Sequence, residues 1–259
     1  MTALRLLALP ALTDNYIWLL GDARGDAVVV DPGEAAPVQA ALRREGWRLR
    51  AIALTHHHPD HVGGAKELAA ATGALVYAPV DERIADVDVR VGDGDVVRLE
   101  APALRFDVLA IPGHTLSHVA YHGHGMLFCG DTLFSVGCGR LFEGSPAQML
   151  ASLDRLAALP GETRVCCGHE YTRANCAFAR SLDADNAALA LRTEQVIELR
   201  ARDKATVPST LAAERASNPF LRIDSAALVA ALDPARQLDR VGRFAELRRR
   251  KDAFVEPAA

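Results

Sequence analysis

The stretch Thr55–Gly64 reads THHHPDHVGG and places His56, His57, His58, Asp60 and His61 within six consecutive positions, directly after the apolar run Arg50–Thr55 (RAIALT). That run reads as a buried strand, and Ala65–Ala71 (AKELAAA), closed by Gly73, reads as a helix. The histidines therefore occupy the loop between them. From a loop, side chains at 56, 58, 60 and 61 can converge on one pocket, whereas a strand would splay alternate residues to opposite faces. One histidine here would be an ordinary solvated turn. The pattern HxHxDH, which combines nitrogen and oxygen donors, reads as a metal site.

The same punctuation recurs downstream. His114 in IPGHT, Asp131 in FCGDT and His169 in CCGHE each stand at the end of a predicted strand, next to or just after a glycine that lets the backbone turn sharply. Together with His56, His58, Asp60 and His61 they make five imidazoles and two carboxylates, too many for one tetrahedral ion. Seven protein ligands suit two divalent ions sharing a bridging carboxylate, with water or hydroxide between them. This is the arrangement of a hydrolase; structural zinc sites are closed and usually rich in cysteine. A non-catalytic protein in which the cluster only holds the fold together is the competing reading. Imidazole and carboxylate accept zinc, iron or manganese, and zinc is the expected metal.

From Met1 to about Tyr171 the pattern is strand-rich. The apolar MTALRLLALPAL reads as a first strand rather than a signal peptide, Ile17–Leu20 and Ala27–Val30 as a hairpin around GDARGD, and Ala74–Tyr77 as a strand followed by a helix near Glu82. Phe106–Ile111 reads as a strand, Val119–Phe128 as a hairpin, Ser145-Pro146 as the cap and first position of a helix to about Leu159, and Arg164–Cys167 as a last strand. After Tyr171 the periodicity turns helical, as in Ala187–Arg202 and Arg243–Lys251. Two domains are expected, 1–171 and 172–259, the first built of layered sheets flanked by helices. With 259 residues, half of them hydrophobic, the chain can bury a proper core. A net charge of −4 argues against holding nucleic acid or a membrane by bulk electrostatics, and no apolar stretch of about 18 residues reads as a membrane span. Five cysteines without framework spacing suit reduced thiols in the cytoplasm, and the chain is expected to act as a monomer.

THHHPDH, followed by PGHT, GDTLF and GHEYT, resembles the metallo-beta-lactamase superfamily. Within it LTDNYIW, GCGRLFEG, SNPFLR and RRRKDAF are similar to the glyoxalase II, or hydroxyacylglutathione hydrolase, family, and the resemblance spans the chain. It implies an α/β fold, an αββα sandwich followed by a smaller all-α C-terminal domain that covers the active-site edge. It gives His56, His58 and His114 to a first metal and Asp60, His61 and His169 to a second, with Asp131 bridging; Asp60 and Asp131, with a metal-bound hydroxide, form the catalytic set. It places glutathione contacts on Arg140, Phe142, Tyr171, Arg248 and Lys251. Some relatives carry Lys and Tyr where this chain has Arg140 and Phe142, so a hydroxyl contact is missing at 142 while Arg140 keeps the charge.

The implied reaction is hydrolysis of S-D-lactoylglutathione to D-lactate and glutathione, the second step of methylglyoxal detoxification. The residue chemistry agrees, because a thiol with a pKa of about 8.5 leaves readily as thiolate and needs no strong acid. From the residues alone, RRRK reads equally as a solvated helix end that complements the dipole; the resemblance favours the substrate. A glutathione persulfide dioxygenase with a single iron is the alternative enzyme, and a nuclease is disfavoured by the net charge. Among the remaining groups, His57 is expected to point away from the ligands and His118 to bond a ligand or close a turn. His122 and His124 are expected to face solvent, Asp31 to orient a ligand, and Cys138 to be a small packed residue.

Overall fold

Residues 4–255 are described by the computed structural model. The first three residues of the expected first strand and the last four of the expected helical domain lie outside the described residues. The chain forms two compact units, one reaching to Ala110 and including Ser117–Gly130, the other made of Ile111–Leu116 and the chain from Asp131 onward.

The first unit begins with a six-stranded sheet in which β1 (Arg5–Ala11), β2 (Asn15–Gly21), β3 (Asp26–Val30), β4 (Arg48–Ala53), β5 (Leu75–Pro79) and β6 (Val89–Val91) lie in chain order. The first three are antiparallel, with Leu9 opposite Ile17 and Leu20 opposite Val28, and β3 through β6 run parallel, with Val30 opposite Ala53 and Ile52 opposite Val76. Every residue of β2 and β3 is buried, as strands covered on both faces must be. The crossover α1 (Ala35–Glu45) joins β3 to β4, and α2 (Pro59–Val62) with α3 (Ala65–Thr72) joins β4 to β5. On one face Val38, Ala41, Leu42 and Leu68 from these helices share a core with Ile17, Leu19, Val29 and Ile52. The helices α1 and α3 stop at Gly46 and Gly73, both left-handed at φ 67° and 71°.

A second, antiparallel sheet contains β7 (Val96–Glu100), β8 (Ala103–Ala110), β9 (Val119–Gly123) and β10 (Met126–Gly130). Along β8 burial alternates, with Leu104, Phe106 and Val108 turned inward. The two sheets are tied where Tyr121 Oη donates to Leu54 O at 2.9 Å and Val119 N donates to Thr55 O at 2.9 Å.

The helix expected near Glu82 is absent: residues 81–88 form turns. Asp81 accepts from Arg83 N and Nε at 3.0 and 2.8 Å, and Arg90 donates to the carbonyls of Pro79, Asp81 and Ile84. Side chains thus satisfy the backbone in place of a helical ladder. The helix α1 went unmarked in the sequence, although Val38, Ala41 and Leu42 recur at helical spacing before Gly46.

In the second unit β11 (Leu133–Phe134) pairs with β12 (Gly137–Cys138), α4 (Pro146–Ala157) comes next, and β13 (Arg164–Cys167) pairs with β14 (Ser209–Thr210). The strand β14 interrupts a region that reads as helical throughout. A capping box between Ser145 and Gln148 opens α4 as the sequence signals. The remaining elements are α5 (Thr172–Leu182), α6 (Ala187–Arg200), α7 (Leu211–Ser217), α8 (Ala226–Leu232) and α9 (Arg240–Ala253). Arg240 at the start of α9 pairs with Asp154 of α4 and with Asp224, and Phe220 meets both Phe178 and Phe244. All five cysteines are buried and none is in a disulfide. Among the described residues no helix is long and apolar enough to cross a membrane.

Leu54 O and Tyr121 are both buried, so Tyr121→Phe leaves a carbonyl between the sheets without that donor. The expected loss is about 1–2 kcal/mol of unfolding free energy, measurable by urea denaturation; an unchanged midpoint would show that the bond contributes nothing net.

Candidate active site

Parallel strands that end side by side deliver their next residues to a common place. Here β3 ends at Val30 opposite the last residue of β4, so Asp31 stands beside the start of the histidine loop, with its N–H bonded to Ala53 O at 3.0 Å. Asp31 is left-handed at φ 50°. Its carboxylate accepts from Thr55 N and Thr55 Oγ1, both at 2.7 Å, and lies 3.0 Å from His61 Nδ1.

These bonds decide where the imidazole protons are. A carboxylate only accepts, so His61 carries its proton on Nδ1 and turns an Nε2 lone pair away from Asp31. The Thr55 hydroxyl donates its hydrogen bond to Asp31, so it accepts from His56 Nδ1 at 3.0 Å and leaves a lone pair on His56 Nε2. That atom is 3.1 Å from His58 Nδ1. His61 Nε2 in turn is 3.5 Å from Asp60 Oδ2, and Asn15 Nδ2 donates to the same Asp60 oxygen at 2.9 Å. The loop thus presents two donor pairs, His56 with His58 and Asp60 with His61. Pro59 opens α2 and supplies the turn that separates the pairs. Gly33 is required beneath them, since a Cβ there would lie 2.0 Å from Asp60 O.

Asp31, His56 and His61 also come within 4.8 Å of one another through candidate ligand atoms. With Thr55 and His61 already on its oxygens, Asp31 is placed to orient His61 rather than to ligate. His118 stacks on His56, with ring centroids 4.5 Å apart, and its Nδ1 faces Val119 O at 3.1 Å. His57 turns to Asp81 at 3.5 Å. His124 is exposed, whereas His122 is half-buried rather than solvent-facing, and burial lowers its pKa.

The second unit gathers His114, Asp131 and His169, all buried. His169 Nε2 and His114 Nε2 approach the same oxygen, Asp131 Oδ2, at 3.1 and 3.5 Å. The Arg140 carbonyl faces His114 Nδ1 at 2.9 Å, which fixes the proton there and puts the lone pair on Nε2. Tyr171 stacks on His169, 4.7 Å between centroids and 3° from parallel, and Phe142 meets His114 edge-on at 5.2 Å.

These residues open on a cavity of about 500 Å³ that Arg140, Phe142, Tyr171, Arg248 and Lys251 line together with His114 and Asp131. Their surroundings differ. Arg140 and Phe142 are exposed, with 66% of the Arg140 side chain accessible. Arg248 is buried: Nη1 donates to Cys138 O at 2.8 Å, Nη2 lies 2.9 Å from Asp252, and the guanidinium sits 5.3 Å from the Phe220 ring centroid. Lys251 Nζ donates to Ala174 O at 3.1 Å. Asp252, which sequence reasoning passed over, lies between Arg248 and Arg140, 3.7 Å from the latter. Asn15, Thr55 and Gly139 were missed as supports too. Asn15 was visible in LTDNYIW, and a Cβ on Gly139 would lie 1.9 Å from Asp131 O.

The chain matches the model of the metallo-beta-lactamase superfamily over residues 12–169 and that of the hydroxyacylglutathione hydrolase C-terminus over residues 170–254. A hydroxyacylglutathione hydrolase of Pseudomonas fluorescens (strain SBW25) is 51% identical over 97% of this chain and 100% of its own length. One from Xanthomonas campestris pv. campestris (strain B100) is 53% identical over 97% and 99%. Among solved structures, TTHA1623 in a di-iron-bound form is 32% identical, covers 64% of this chain and 91% of its own, and superposes with a TM-score of 0.54.

Cys138 lines the cavity, but burial pushes its thiol up to about 11. The folded protein is expected to resist alkylation at Cys138 at pH 8 and to react once unfolded, read by peptide mass; rapid labelling of the native protein would contradict the packed role.

Proposed function

Because the chain belongs to the hydroxyacylglutathione hydrolase family of the metallo-beta-lactamase superfamily, we propose that it hydrolyses S-D-lactoylglutathione to D-lactate and glutathione, the second step of methylglyoxal detoxification. The observation that carries this reading is the cavity in which Arg140, Phe142, Tyr171, Arg248 and Lys251 surround His114 and Asp131.

The donor set fits divalent metal. At His56, His61 and His114 the proton is held on Nδ1 by an acceptor, and the Nε2 lone pair is offered to a cation. In the proposed assignment His56, His58 and His114 hold one ion, Asp60, His61 and His169 hold the other, and Asp131 is shared. The ions are proposed to be zinc, with iron or manganese accepted by the same donors. When bound, such ions supply hydroxide at neutral pH and polarise a carbonyl.

The chain's own residues bind and orient. Asn15 steadies Asp60 from one side while His61 faces it from the other. Glutathione carries two carboxylates and one ammonium. Arg140 offers an exposed, two-pronged grip for a carboxylate, and Lys251 adds positive charge at the same cavity. Asp252 lies 2.9 Å from the Arg248 guanidinium and 3.7 Å from that of Arg140, and supplies a negative charge suited to an ammonium. Tyr171 covers His169 and narrows the approach to the reacting carbonyl. The thiolate of glutathione departs without an acid.

The match of residues 170–254 to the hydrolase C-terminus speaks against the glutathione persulfide dioxygenase with a single iron. The catalytic domain is proposed to span 1–171 and the substrate-binding helical domain 172–259. The enzyme is proposed to work as a cytoplasmic monomer with no nucleic-acid or membrane partner.

Thiol release from S-D-lactoylglutathione by the metal-loaded protein is the test. Turnover is expected, together with its loss in Asp131→Ala and a rise in KM of about tenfold, equivalent to about 1.4 kcal/mol, in Arg140→Ala. Absence of thiol release, or oxygen consumption with a glutathione persulfide, would overturn the reading.

A further inference from the structure

The turn between β11 and β12 carries a backbone geometry that its sequence does not favour. Val136 is fully buried and left-handed at φ 58°. A β-branched residue avoids that region and keeps it only where the surroundings over-determine it.

The surroundings here are a buried carboxylate. Glu214 on α7 is 1% exposed; its Oε2 accepts from Val136 N at 2.7 Å and its Oε1 from Ser135 Oγ at 2.9 Å. Asn218 Nδ2 donates to Glu214 Oε2 at 3.1 Å and also lies 3.1 Å from Phe134 O and 3.0 Å from Gly137 O. Arg192 Nη2 donates to Ser135 Oγ at 3.0 Å, so the Ser135 hydroxyl relays positive charge toward the buried carboxylate. Groups at four successive residues, 134 to 137, are therefore gripped by side chains from the helical part of the chain.

The residues just beyond this turn touch the site. Gly139 N bonds to Thr132 O at 3.2 Å, Gly139 packs against Asp131 O too closely for any Cβ, and the next carbonyl, Arg140 O, receives the His114 Nδ1 proton. Glu214 itself is not among the residues that line the cavity. We propose that Glu214, with Asn218, is a positioning residue: it holds the strained Leu133–Cys138 turn so that Arg140 O orients His114 and Gly139 seats Asp131. This rests on the reading of His114 and Asp131 as metal ligands.

The test uses full-length zinc-loaded protein and compares Glu214→Ala, Glu214→Gln and Glu214→Gln/Val136→Gly by circular dichroism, zinc release to a chromophoric chelator, and kcat and KM for S-D-lactoylglutathione. Glu214→Ala is expected to stay folded but release zinc about 10- to 100-fold faster, the usual effect of losing support behind a ligand, and to lose kcat. Glu214→Gln keeps one acceptor for Val136 N and should fall between. Glycine takes positive φ without strain, so adding Val136→Gly should return zinc release toward the wild-type rate, a rescue that general destabilisation does not produce. Zinc release and kcat within twofold of wild type in the folded variants would overturn the proposal, as would a failure of Val136→Gly to rescue. Should Glu214→Ala not fold, the two glutamine variants decide by the same limits. A wild type that binds no zinc or leaves the thioester intact would overturn the functional reading instead.

Discussion

The carboxylate of Asp31 is the interaction on which the histidine loop depends. It accepts from the N–H and the hydroxyl of Thr55 at the end of one parallel strand while standing at the end of its neighbour, and it accepts from His61 Nδ1. One buried acid thereby ties together the ends of two central strands, sets the tautomer of His61 directly, and sets that of His56 through the Thr55 hydroxyl. An alcohol or amide at 31 would bring a proton of its own and loosen that ordering, because the chain of donors runs in one direction only while residue 31 accepts alone. The left-handed backbone of Asp31 and the glycine at 33 are the local cost of bringing the two strand ends together.

The second unit uses the same device with a different acceptor. There a backbone carbonyl, Arg140 O, plays toward His114 the part that Asp31 plays toward His61. A carbonyl is only as well placed as its loop, and this loop is held by side chains from the helical part of the chain: Glu214 and Asn218 at the turn, Arg248 at Cys138 O. The helical tail therefore shapes the segment that runs from Asp131 to Phe142 as well as lining the cavity. Charge is arranged on the same plan. Arg248 is buried and bonded within the protein, and Asp252 offsets it, so the exposed Arg140 at the rim is the guanidinium best placed to meet an anion from solvent.

Much of this could be read in the sequence where one residue type does one thing. HxHxDH after an apolar run located the loop, and glycines before His114, Asp131 and His169 marked the later strand ends. Ser145-Pro146 and Gly73 gave helix limits to within a few residues. Features that depend on distant partners stayed hidden. The segment 81–88, where a helix is expected near Glu82, takes its shape from Arg90 and from Ser117, the latter 36 positions beyond Asp81. The clamp from Glu214 and Asn218 joins residues about 80 positions apart, and SNPFLR shows an asparagine but not what it holds. Arg248 was readable as a cation, whereas its burial against Phe220 and Cys138 was not.

The proposed hydrolysis requires that this set of imidazoles and carboxylates hold two ions rather than one. The most direct measurement is the number of zinc ions retained per chain, read by native mass spectrometry as metal-free protein is titrated. Saturation is expected at two ions, and saturation at one would contradict the claim.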